Sequence, residues 1–213
     1  AYFMRANQLI GKGAWRDAVP CLKAAAYYVP RRDPFNQLSR FYLAEALYRN
    51  EEYSESRSVL MDLYNLSALD GREEGDLISY DIAYTYFKEG DYSSALKWFG
   101  NYLSGTAVTF GSDAEARIGD CYFFGKDYVK AVSAYERKLS DYPDPDDIYP
   151  YYRAGVAAGL LGLVPNCAVS VAGAKLYLAG AMSPGALMAS SFTGSGLGLL
   201  VLFRTNRNMK ENL

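Results

Sequence analysis

The stretch Ser112–Pro143, SDAEARIGDCYFFGKDYVKAVSAYERKLSDYP, decides how the rest of the chain is read. Its small and apolar residues recur at helical spacing in two runs. Ile118, Gly119 and Tyr122 share one face of a first helix, and Ala131, Tyr135 and Leu139 one face of a second. Gly125-Lys126-Asp127 between them is a turn, and Pro143 ends the second run because it has no N–H to give a continuing helix. Two amphipathic helices this short cannot bury their apolar faces alone, so the unit needs neighbours of its own kind.

Those neighbours are present upstream. The turn recurs as GKGAWRDAV from Gly11, RNEEYSESR from Arg49, KEGDYSSAL from Lys88 and GKDYVKAV from Gly125. Its aromatic residue is Trp15, Tyr53, Tyr92 and Tyr128 in turn, at gaps of 38, 39 and 36 residues. The pattern resembles the 34-residue tetratricopeptide (TPR) repeat, with a small residue at position 8, aromatics at 11, 17 and 24, Ala at 20 and Pro at 32. In the quoted stretch Gly119, Tyr122, Tyr128, Ala131, Tyr135 and Pro143 match all six. The longer gaps place a few extra residues in each loop between repeats.

The resemblance covers residues 1–162 and implies an all-α, right-handed α-solenoid of stacked helix-turn-helix TPR-like repeats. Expected boundaries are 1–34, 35–72, 76–108 and 112–145 for four repeats, 148–182 for a degenerate fifth, and 183–213 for an atypical apolar tail that could start a sixth. Arg5 stands where the family has an apolar residue, which suggests an exposed end. Pro20 falls in the second helix of the first repeat, where the first turn would tolerate it. Ser56 replaces the Ala of position 20 in the second repeat. Positions 8 and 20 need small residues because the two helices of a repeat cross closely there.

By the same resemblance, the first helix of each repeat lines a concave groove. Position 5 is then Phe3, Phe41, Tyr80, Ala116 and Tyr152, position 9 is Asn7, Glu45, Tyr84, Asp120 and Val156, and position 12 is Ile10, Tyr48, Phe87, Phe123 and Gly159. The partner-binding candidates drawn from these are Phe41, Glu45, Tyr48, Tyr80, Tyr84, Phe87, Asp120, Phe123 and Tyr152. Rigid aromatic rings give large contact area at little entropic cost, although position 12 serves inter-repeat core equally well. TPR domains that clamp a chaperone's C-terminal carboxylate carry Lys, Asn and Arg where this chain has Phe3, Asn7, Tyr42, Leu77 and Asp81, so only Asn7 agrees. An extended or helical protein segment with apolar and basic residues is the expected partner. The wording of the turns also resembles bacterial TPR proteins, with cell envelope and cytoplasm both open.

Composition excludes other classes. Net charge is −2 and pI about 5.3, without the clustered Lys and Arg that bind nucleic acid. Histidine is absent, which removes the commonest general base and metal ligand. Cys21, Cys121 and Cys167 have no C-x-x-C spacing and read as packing residues. The acidic run DPDPDD at Asp144, Asp146 and Asp147 lacks the spaced ligands and glycine of a calcium loop. GSGLG from Gly194 lacks the spacing and preceding strand of a phosphate loop. No catalytic residue, metal or cofactor is expected, and the chain reads as a non-catalytic scaffold.

From Ala168 to Phe203 the only charge is Lys175, so a polar outer face is missing. Three readings stay open: a poorly matching second helix of repeat five followed by a Gly/Ser-rich connection, a stretch translated out of frame, or a membrane segment over Leu176–Phe203 flanked by Arg204, Arg207 and Lys210. The last would make the chain a membrane-associated assembly factor. The opening at Ala1, inside a helical pattern, is that of a fragment or processed product.

Overall fold

The computed structural model describes residues 1–105, 108–144 and 146–162, with the side chains of 161 and 162 outside that set. Everything described is helix, turn or loop. The helices are α1 (Tyr2–Ile10), α2 (Trp15–Tyr27), α3 (Pro34–Arg49), α4 (Tyr53–Asn65), α5 (Glu73–Glu89), α6 (Tyr92–Leu103), α7 (Gly111–Phe124), α8 (Tyr128–Asp141) and α9 (Ile148–Gly162). The chain divides into two compact units, residues 1–114 and 115–213.

The four aromatics that mark the repeat, Trp15, Tyr53, Tyr92 and Tyr128, each open the second helix of a pair. Two residues earlier the backbone turns left-handed every time: φ is 73° at Gly13, 67° at Glu51, 80° at Gly90 and 64° at Lys126. That turn lets the next amide reach back five residues, from Ala14 to the Leu9 carbonyl, Glu52 to Leu47, Asp91 to Tyr86 and Asp127 to Tyr122, at 2.9–3.0 Å. These bonds satisfy carbonyls that the end of the first helix would otherwise leave orphaned. At Asp91 and Asp127 the side chain also caps the following helix, accepting from Ser94 N at 3.1 Å and Lys130 N at 3.2 Å.

Packing within each pair follows from small residues facing large ones. Position 8 holds Ala6, Ala44 and Ala83, all at most 1% exposed, and Gly119. Position 24 holds Leu22, Leu60, Phe99 and Tyr135, none more than 2% exposed. Position 20 holds Ala18, Ser56, Ala95 and Ala131, all equally buried. The Ser56 hydroxyl resolves its own polarity by donating to the Ala44 carbonyl at 2.7 Å.

In the first unit, α1 to α6 pack in chain order, each against the next, with α3 also touching α5. One core gathers Ala6, Leu22, Leu43 and Leu47, and another Phe41, Leu60, Leu63 and Ile82. The proline-rich loop before α3 is tied down by buried Asn36, whose amide donates to the carbonyls of Ala26 at 2.6 Å and Val29 at 2.8 Å. In the second unit, α8 packs on α9 around Val132, Tyr135, Ala154 and Ala157.

Pro20 departs from expectation: it is the sixth residue of α2, not part of its first turn, yet the helix runs unbroken past it. Arg5 is exposed, as its misfit with the apolar pattern suggested. Cys121 is buried, with its thiol pushed up to about 12 by desolvation and the neighbouring Asp120, which suits a packing residue. Among the described residues no helix is long and apolar enough to cross a membrane. Cys167, the GSGLG stretch and all three readings of the tail lie outside the described residues.

Candidate partner-binding surface

Helices α3 and α5 carry the candidates of the first unit at identical spacing: Phe41, Glu45 and Tyr48 on one, Tyr80, Tyr84 and Phe87 on the other. Steps of four and three residues set each trio along a single stripe of its helix. Both helices start firmly. Asp33 accepts from Phe35 N at 2.8 Å with Pro34 at the first helical position, and Glu73, Glu74 and Asp76 set negative charge against the N-terminus of α5.

Between these helices and α4 opens a cleft of about 290 Å³, lined by Ala44, Glu45, Tyr48, Arg49, Ser56, Leu60, Tyr80, Asp81 and Tyr84. Four of the candidates thus share one concavity. Glu45 is half-buried and accepts from Arg49 Nε at 2.8 Å. Tyr48 packs edge-on against Tyr53 with centroids 5.4 Å apart, and burial pushes its phenol up to about 12. Tyr80 and Tyr84 meet edge to face at 4.9 Å and both donate their hydroxyls to Asp113, Tyr80 at 2.8 Å. Tyr80 is further clasped by Phe99, Tyr102 and Phe110 at 5.0–6.0 Å, and burial raises its phenol far above the ordinary value. Phe87 packs against Tyr92 at 5.7 Å. The Tyr80 and Tyr84 rings are therefore held rigidly, with one face of the α5 stripe built into the fold and the other at the cleft.

Phe41 does not join them, a correction to the expected surface. It is 8% exposed and belongs to the core with Leu60 and Ile82, because its position on α3 turns it toward α4 and α5 rather than outward.

Asp81 is the residue sequence reasoning passed over. It appeared there only as a mismatch to the chaperone-binding pattern. In the cleft it is half-buried, and its carboxyl group is pushed up to about 8 by desolvation, then by the Glu45 charge, against a lowering pull from Arg49. Among the described residues no donor is hydrogen-bonded to it. The available signal was an acidic residue set directly before the buried pair Ile82-Ala83.

In the second unit the candidates part company. Asp120 is fully buried and accepts from Tyr135 Oη at 2.6 Å, Tyr149 Oη at 2.7 Å, Arg117 Nη1 at 2.5 Å and Arg153 Nε at 3.1 Å. It knots α7, α8 and α9 together and offers nothing to a partner, a second correction. Phe123 is half-buried, with the Arg153 guanidinium 4.0 Å from its ring centroid. Tyr152 stands 67% exposed on α9. Asp147 of the acidic loop is paired with buried Lys138, and among the described residues no three acidic or sulfur side chains converge to hold a metal.

Comparison with known proteins agrees with this architecture. The tetratricopeptide-repeat family profile matches residues 113–145. The TPR repeat-containing protein YpiA of Bacillus subtilis is 24% identical over 121 residues, covering 51% of this chain and 29% of that protein. The chain thus spans less than a third of that relative's length. Among solved structures, the MamA RS-1 ArsTM double mutant superposes with a TM-score of 0.64 at 16% identity, covering 84% of this chain and 92% of the other. A point variant of the nearly identical TPR-like repeats of a putative kinesin light chain from Podospora anserina gives a TM-score of 0.60 at 13% identity, with the same coverages. Four recurring helix pairs, one of them matched by the TPR family profile, make the chain an all-α helical-repeat protein of the solenoid class that is similar to TPR proteins.

Proposed function

We propose that the chain is a non-catalytic scaffold that binds a polypeptide partner through the half-buried residues that α3 and α5 present at their shared cleft. TPR repeats in general mediate protein–protein interaction, and the observation that carries the reading here is the cleft in which Glu45, Tyr48, Tyr80 and Tyr84 converge. Rings that the fold already holds in place lose little freedom on binding, so their contact area favours affinity. Phe87 extends the same stripe. Phe123 and Tyr152 are proposed as separate contacts on the second unit, while Phe41 and Asp120 are not. The proposed repeat limits remain 1–34, 35–72, 76–108, 112–145 and 148–182.

Panning a phage-displayed library of random peptides on the full chain tests this. Selected peptides should lose at least tenfold in affinity for a Glu45→Ala/Tyr48→Ala variant whose circular dichroism matches wild type. Peptides that bind this variant as well as wild type would remove α3 from the surface.

A further inference from the structure

The cleft holds more acids than cations. Two carboxyl groups, Glu45 and Asp81, face it with one guanidinium, Arg49. Arg49 is already committed: its Nε is held by Glu45 at 2.8 Å, and its guanidinium lies 5.4 Å from the Trp15 ring centroid. Asp81 is half-buried, with no hydrogen-bond donor among the described residues. A carboxyl drawn partly out of water without a partner is costly, and such a group opening onto a cavity marks a place where something else supplies the partner.

Resting on the interaction-surface reading above, we propose that this cleft receives a lysine or arginine side chain of the bound polypeptide, with Asp81 as its counter-charge. The walls suit such a guest. The rings of Tyr48, Tyr80 and Tyr84 line the same space, and aromatic faces attract cations most strongly where water is displaced. At about 290 Å³ the cleft lies at the lower edge of the roughly 300–1,000 Å³ range of ligand pockets, room for one long side chain rather than a folded element. Ser56 and Leu60 on α4 close the floor without adding charge.

Desolvation and the Glu45 charge, against Arg49, favour the protonated form of Asp81 at neutral pH, and among the described residues the phenols of Tyr48, Tyr80 and Tyr84 are the further titratable neighbours lining the space. A cation entering stabilises the carboxylate and expels that proton. Binding of a cation therefore strengthens as pH rises through about 8. A neutral guest, such as a backbone carbonyl accepting from the protonated carboxyl, shows the opposite trend.

The test is an NMR titration of the isotope-labelled full chain with n-butylammonium chloride, n-propylguanidinium chloride and n-butanol at fixed ionic strength. At least one cation should shift the Asp81 carboxyl carbon and the amides of Glu45, Tyr48 and Tyr84 saturably, at least tenfold more tightly than butanol. The Asp81→Asn variant should lose that tenfold, and affinity should grow from pH 6 to 8.5. Butanol binding as well as either cation, Asp81→Asn binding the cations as wild type does, or affinity that falls with pH would each overturn the proposal. Which cation wins separates a lysine from an arginine guest. Panned peptides that depend on Glu45 and Tyr48 while neither cation binds would leave the surface standing and remove the cationic pocket. Cation binding without any selectable peptide would do the reverse.

Discussion

Gly119 lies against the ring of Tyr135: a Cβ built on the glycine would sit 2.4 Å from Tyr135 Cε1 and 2.6 Å from Cδ1. The ring has nowhere to retreat, since it is fully buried and its hydroxyl donates to Asp120 at 2.6 Å. Gly119→Ala should therefore destabilise, the overpacking cost of about 1–3 kcal/mol exceeding the ~1 kcal/mol that alanine gains in helix propensity. Ala131→Leu, at the neighbouring fully buried crossing, should cost on the order of 1–3 kcal/mol. Thermal melts followed by circular dichroism check both; unchanged melting temperatures would contradict the close crossing.

The left-handed turn predicts a gain and a loss. Lys126 holds φ of 64° with a Cβ, whereas Gly90 occupies the same place at 80° without one. Lys126→Gly should stabilise by about 0.5–1 kcal/mol, and Gly90→Ala should destabilise by about 1 kcal/mol. Urea titrations of the two variants read the opposite signs directly.

Asp120 anchors four donors from three helices. Asp120→Ala takes one acceptor from two arginines and two phenols, and loss on the order of 3 kcal/mol is expected, compared with about 1 kcal/mol for Tyr135→Phe, which removes one donor only. A denaturant series that ranks the two equally would show that the network is solvated rather than enclosed.

Asp81 sets a pH dependence of stability. Its carboxyl is pushed up from 3.8 to about 8, so the folded chain binds a proton in that window that the unfolded chain has released. The stability this contributes is fully present below about pH 4 and is lost as pH rises through about 8, with a slope of at most about 1.4 kcal/mol per pH unit. Asp81→Asn should flatten that part of the curve and should be more stable than wild type above about pH 8. Unfolding free energies from urea at pH 5, 6, 7 and 8 measure the difference between the two proteins. Parallel curves would place Asp81 in contact with solvent.

The helix pairs were legible in the sequence because their determinants are local. Trp15, Tyr53, Tyr92 and Tyr128 open helices, small residues at 6, 44, 83 and 119 admit large ones, and turn chemistry needs only the intervening residues. What the site looks like depends on neighbours far along the chain, and there the outcome divided. Phe41 and Tyr80 hold the same position of successive repeats. One is enclosed by α4 and α5, and the other lines the cleft and is held by Asp113 and Phe110, some thirty residues on. Asp120 read as a polar residue on an open face, since nothing near it in sequence reveals that Tyr149 and Arg153 arrive one repeat later. Asp81 read as a mismatch to another binding pattern, since its significance comes from Glu45 and Arg49 on a separate helix.

The binding surface is tested most directly by chemical-shift mapping of the full chain with a peptide selected by panning. The largest amide shifts should fall at Glu45, Tyr48, Asp81 and Tyr84. Shifts confined to residues outside α3 and α5 would contradict a surface built on those two helices.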